Sequence, residues 1–138
     1  TLGLTVELSV AGDNSLFIAD RNEGNYDFFL GGWYSDYNDP LDFLYTNYTD
    51  AYGMSFGGYS NTDYDALADQ LVGETDMDKR LDIYKQMEQI LLLDDCAFAP
   101  IYYATKQVLL QNWVKDYRTS SFGASAEFIW TYIDGKNQ

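Results

Sequence analysis

Histidine is absent from this 138-residue chain. That excludes Ser–His and Cys–His nucleophile arrangements and every histidine-ligated metal site. The single cysteine, Cys96, allows no internal disulfide and no CxxC motif. Basic residues are scarce, 8 Lys and Arg against 22 Asp and Glu, for a net charge of −14. A chain so acidic repels phosphate backbones and anionic membrane surfaces, so nucleic acid is not an expected partner. No apolar run approaches the length of a membrane span. The chain opens on Thr1-Leu2-Gly3-Leu4, without a Met or a basic leader, and reads as a fragment or processed product.

Aromatic residues are in surplus: 13 Tyr, 8 Phe and 3 Trp. They offer flat apolar area with a polar edge, which suits ligand surfaces as well as cores. The length suits one domain, and an apolar fraction of 46% argues against disorder.

Leu4, Val6, Leu8 and Val10 alternate with Thr5, Glu7 and Ser9, the pattern of a strand with one buried face. A turn at Ala11–Asn14 leads into a helix from about Ser15 to Asn22, with Leu16, Phe17 and Ala19 inward and a stop at Gly24. Tyr26–Leu30 is nearly all apolar and reads as a second, doubly buried strand, which together make a parallel βαβ unit. A turn-rich loop runs from Gly31 to Pro40. A short helix over Leu41–Tyr45 follows, with Asp39 as N-cap and Pro40 at its first position. Thr46–Ser60 reads as irregular.

The spacing predicts a helix over Thr62–Val72, capped by Asn61 or Thr62 and ended by Gly73. It predicts a longer one over Asp76–Leu93, with an apolar stripe of Met77, Leu81, Tyr84, Met87 and Leu91 and a capping box at Thr75 and Asp78. Ala97–Leu110 reads as two edge-type strands, and Phe128–Ile133 as a final strand ended by Asp134-Gly135. The order of elements indicates an α/β domain with a mixed sheet and flanking helices.

Close carboxylates are frequent: Asp36 with Asp39 and Asp42, Asp63 with Asp65, and Asp94 with Asp95. Composition alone produces such pairs, and solvated surface acid is the expected state of most. Asp94-Asp95 is expected to start a turn, because negative charge opposes the dipole at a helix C-terminus. The Asp36–Asp42 stretch fails as a calcium loop, since Leu41 stands where a Gly is needed and no distal Glu follows. Cys96 is expected as a buried structural thiol. Gly31-Gly32 and Gly57-Gly58 lack phosphate-loop context. Asn47-Tyr48-Thr49 matches the glycosylation sequon, a tripeptide common by chance.

The segment Trp33-Tyr34-Ser35-Asp36-Tyr37 is the most informative. It starts where an apolar strand ends, the place of ligand crevices in open α/β sheets. An aspartate among aromatics there suits a cationic ligand group. The competing expectation has Asp36 capping a turn and Trp33 filling a core, and the residues alone leave the two even.

At this segment the chain also resembles a family. Gly32-Trp33-Tyr34-Ser35-Asp36-Tyr37-Asn38-Asp39-Pro40, then Phe43-Leu44, is similar to a signature of bacterial extracellular solute-binding proteins of family 5. These include the oligopeptide- and dipeptide-binding components of ABC importers. The match continues in order through Leu2–Leu8, Gly24–Asp27, Tyr59–Leu67, Arg80–Leu91 and Ala99–Tyr103.

The resemblance implies the C-terminal part of a two-lobed, periplasmic-binding-protein-like (type II) fold. Residues 1–103 would belong to the C-terminal lobe. Residues 104–138 would cross the hinge near Ala104–Gln107 and return to the other lobe. It implies a non-enzymatic, monomeric protein without cofactor or metal, in the periplasm or lipid-anchored outside the cell membrane. Its partners would be a peptide ligand and a membrane permease. Trp33, Tyr34, Ser35, Asp36 and Tyr37 would line the ligand site, with Asp36 pairing with the peptide α-amino group and Trp33 shaping the adjacent side-chain pocket. Two departures bear on ligand length: Leu30 stands where some oligopeptide binders carry an arginine, and Tyr34 replaces a smaller residue. Exposed Tyr and Trp with acids also suit sugars, so a carbohydrate-binding or glycosidase-like domain is the alternative. An interaction module using the tyrosines of Thr46–Ser60 is a third.

Overall fold

The computed structural model describes residues 2–52, 58–123 and 126–136. Local chemistry explains where its helices begin and end. Asp13 starts α1 (Asn14–Glu23) by accepting hydrogen bonds from the amides of Ser15 and Leu16. Gly24 ends it in the left-handed conformation, φ 72°, which glycine adopts without steric cost. Helix α2 (Leu41–Tyr48) follows Pro40, whose φ and ψ are already helical, while the Asp39 carboxylate accepts from the amide of Leu41 at 2.9 Å. Helix α3 (Thr62–Leu71) is capped by Asn61, which bonds the amides of Asp63 and Tyr64. Helix α4 (Met77–Glu88) is capped by Asp76 rather than by the expected Thr75–Asp78 box. It continues into a π-helical segment, Gln89–Asp94.

The core is a packed trio of α2, α3 and α4. Leu44, Tyr48, Tyr64, Ala68, Leu71, Ile83, Tyr84, Met87 and Leu91 are buried together. Tyr64 is wholly buried, and its hydroxyl donates to the Leu44 carbonyl at 2.9 Å, tying α3 to α2. The expected stripe of α4 is rotated. Met77 and Leu81 are exposed, while Ile83 faces the core. The turn of α4 that carries Leu81 is held by Arg80, which reaches back to the Leu71 and Glu74 carbonyls at the end of α3.

The strands differ most from expectation. Residues 4–10 and 26–30 form neither strand nor βαβ unit. Leu4, Val6, Leu8 and Val10 are all exposed, as are Phe28 and Leu30. Alternation selects a face, whereas ladder hydrogen bonds need a partner strand, and none lies beside them among the described residues. Helix α1 buries none of its residues for the same want of a covering layer. Residues 97–110 hold no strand either. The sheet among the described residues is a short antiparallel pair, β1 (Val114–Lys115) and β2 (Tyr132–Ile133), registering Val114 with Ile133 and Lys115 with Tyr132. The expected last strand thus shrinks to two residues, ended at Asp134, whose amide donates to the Trp113 carbonyl.

Further expectations change in the stretch after α2. That helix runs three residues past the expected Tyr45, so Thr46, Asn47 and Tyr48 are buried rather than irregular. Asn47 is 1% exposed, with its side-chain amide donating to the Phe43 carbonyl, which removes it as a glycan acceptor. Tyr48 packs inward and cannot serve an adhesive surface. Phe56 and Gly57 lie outside the described residues. Cys96 is exposed, not buried: it sits at φ 50° just past the π-helical segment, where the chain turns out of the core. Asp94 lies within that segment rather than opening a turn. Among the described residues no helix is long and apolar enough to cross a membrane.

Candidate functional site

The segment from Trp33 to Asp42 is organised by two carboxylates that composition suggested were surface acids. Asp42, in the first turn of α2, is 1% exposed. Its Oδ2 accepts the indole N–H of Trp33 at 2.9 Å and the main-chain N–H of Asp36 at 3.0 Å. A charged oxygen receiving two donors in a dry setting makes strong, directional contacts. Trp33 is therefore half-buried, neither filling the helical core nor free in solvent.

Asp39 holds the other end of the loop. Its Oδ2 accepts from Arg80 at 2.8 Å, and its Oδ1 accepts from the Leu41 amide and from the Tyr84 hydroxyl. Burial works against its ionisation, but the bonds from Tyr84 and Leu41 and the charge of Arg80 outweigh it, so its pKa falls below the ordinary carboxylate value. The Tyr84 phenol is raised in turn by burial and by the adjacent Asp39 carboxylate. Nothing in the spacing of Asp36, Asp39 and Asp42 separates these roles. The available signals were Asp39 before Pro40, a capping position, and Asp42 in a helix first turn.

Asp36 behaves differently from both neighbours. Its side chain is exposed, and its carboxylate makes no hydrogen bond or ion pair with any described residue. The main chain beneath it is held on two sides, by Asp42 and by Gly123, whose amide donates to the Ser35 carbonyl at 2.7 Å. Gly123 has φ 63°, and a Cβ there would stand 3.4 Å from the Asp36 carbonyl oxygen, so the approach suits glycine. Ser35 turns its hydroxyl onto the Tyr37 carbonyl, away from solvent chemistry. Tyr34 is exposed, with the Lys106 ammonium 5.1 Å from its ring centroid. Tyr37 is exposed. The five residues thus form one surface strip, with Asp36, Tyr34 and Tyr37 outward and Trp33 and Ser35 turned to the protein. The other acid pairs do not join it. Asp95 accepts from Tyr59 and Asn61, and Asp65 accepts from the Asp50 amide, at the far end of α3. Among the described residues no cluster of three or more His, Cys, Asp or Glu could hold a metal ion.

The same architecture occurs in proteins of known structure. The chain superimposes on a substrate-binding domain of an oligopeptide ABC transporter from Bacillus anthracis, with a TM-score of 0.81 and 25% identity over 96% of its own length and 26% of that chain. It is 31% identical to the periplasmic oligopeptide-binding protein OppA of Escherichia coli over 116 residues, 84% of this chain and 21% of that protein. It is 34% identical to the oligopeptide-binding protein OppA of Bacillus subtilis over 118 residues, 83% of this chain and 20% of that protein. The chain belongs to the bacterial extracellular solute-binding proteins of family 5. No family model matches it. It spans about a fifth of the length of the curated relatives it matches. Its fold is part of the substrate-binding fold of that family.

Proposed function

We propose that this chain forms part of the substrate-binding component of an ABC importer that takes up oligopeptides or dipeptides. Residues 1–103 contribute to one lobe, and residues 104–138 cross the hinge toward the other. The ligand lies in the cleft between them and is handed to a membrane permease. The protein works in the periplasm or at the outer face of the cell membrane, and it carries no catalytic role.

One observation carries the site assignment: Asp36 presents an unpaired, solvent-facing carboxylate on a main chain held in place by its neighbours. Such a group suits a peptide α-ammonium, with a charge-assisted bond contributing about 1.5–3 kcal/mol. Tyr34 and Tyr37 flank it as exposed aromatic surface, and Trp33 backs it. The names of the relatives, which are oligopeptide-binding proteins, support the ligand class.

Calorimetry on the full-length protein tests this with one peptide in two forms, amino terminus free and acetylated. The free form should bind at least about tenfold more tightly, and Asp36→Ala should erase that preference. Equal affinities for the two forms would remove Asp36 from the site.

A further inference from the structure

We propose that Asp42 is the positioning residue of the ligand-ammonium site: its buried carboxylate fixes Trp33 and the Asp36 main chain so that the Asp36 carboxylate stays directed at solvent. The inference rests on the anchoring role of Asp36 proposed above and concerns how that anchor is held.

A carboxylate on an irregular, exposed loop loses conformational freedom when it captures a ligand, and that loss weakens binding. Here the main-chain part of that freedom is already reduced. The Asp36 amide donates to Asp42 Oδ2, and the Trp33 indole meets the same oxygen, at 3.0 and 2.9 Å. Asp42 itself is anchored by the geometry of α2, where its amide donates to the Asp39 carbonyl at 3.1 Å. Asp39 is joined in turn to Arg80 of α4. The path from the exposed carboxylate to the packed core therefore runs through Asp42. One buried oxygen, in a residue 1% exposed, thus serves two donors from the loop.

The test compares free and acetylated forms of one peptide against the full-length protein and its Asp36→Ala, Asp42→Ala and Asp42→Asn variants. Hydrogen exchange of the 33–40 segment is followed alongside. Asp42→Ala should lower the preference for the free amino terminus about tenfold and speed exchange of the Asp36 amide. Asp42→Asn, which keeps an acceptor oxygen, should recover most of the preference, staying within about threefold of the parent. If Asp36→Ala erases the preference while Asp42→Ala leaves it whole, the positioning role is overturned and the anchoring reading stands. If Asp36→Ala leaves the preference whole, the anchoring reading fails and this inference falls with it. Should Asp42→Ala not fold, the unaltered protein decides: slow exchange at the Asp36 amide supports the role, and exchange at the rate of an unprotected loop overturns it.

Discussion

Arg80 of α4 and Asp39 at the foot of α2 meet at 2.8 Å across 41 positions of sequence, and their ion pair fastens the candidate ligand loop to the helical core. Arg80 also donates to the carbonyls of Leu71 and Glu74 and to the Tyr84 hydroxyl, so one guanidinium joins three elements. Its planar fork can meet these acceptors together, which an ammonium cannot.

Arg80→Ala is expected to destabilise the protein by about 2 kcal/mol, because the half-buried Asp39 carboxylate loses its counter-charge. Arg80→Lys should recover less than half of that. Urea unfolding of the two variants checks both, and equal stability of lysine and arginine would exclude the fork geometry as the cause.

Acid should weaken the same link. The folded-state pKa of Asp39 lies below its ordinary value of 3.8, so its contribution is fully present above that value and is lost as pH falls through the lower folded-state one. Asp39→Asn should be less stable at neutral pH and should lose less stability on acidification. Denaturation midpoints taken across acidic pH for both proteins give the comparison.

Alkali attacks the core by the opposite sign. Burial pushes the Tyr48 phenol up to about 12, and Tyr59, Tyr64 and Tyr84 are raised as well. These groups favour the folded state below the ordinary phenol value of 10.0, and their contribution is lost as pH rises toward the folded-state values. Phenolate absorbance from them should therefore appear in one step with the loss of helical circular dichroism. Ionisation of all thirteen tyrosines in a still-folded protein would contradict their burial.

Core packing should be unforgiving at Met87, which is fully buried among α2, α3 and α4. Met87→Ala is expected to cost about 2–5 kcal/mol through the cavity it leaves. Tyr64→Phe should cost about 1 kcal/mol, since only the bond to the Leu44 carbonyl is removed. Chemical denaturation ranks the pair, and the reverse order would mean that the hydroxyl, not the packing, dominates.

Expressed alone, the 138-residue chain should bind an apolar dye and self-associate, because Leu2, Leu4, Leu8 and Val10 and, further on, Tyr103 and Leu109 are exposed on unpaired extended backbone. It should bind peptide weakly or not at all, since it spans about a fifth of the length of its curated relatives. Dye fluorescence and light scattering, set against the full-length protein, check the first expectation, and calorimetry checks the second.

The helices were legible because their determinants are local. Asp13, Asn61 and the Asp39–Pro40 pair each act on backbone within three residues, and Gly24 ends α1 by its own freedom. The loop was legible by composition and by family resemblance. The strands were not, since the alternation at Leu4–Val10 names a face without naming a partner. Nor was the division of labour among three aspartates, because Asp36, Asp39 and Asp42 look alike until their surroundings are known. The apolar neighbours of Cys96 favour a buried thiol, whereas the left-handed turn at that residue faces it outward.

Sequence by itself determined where the helices start, the acidic composition and the aromatic strip around Asp36, all of which depend on residues close together in the chain. Tertiary structure decided which acids are buried, which face of α4 turns inward and which carboxylate is left open. Those outcomes depend on contacts such as Arg80 with Asp39 and Tyr64 with Leu44, made across long separations that no local pattern encodes.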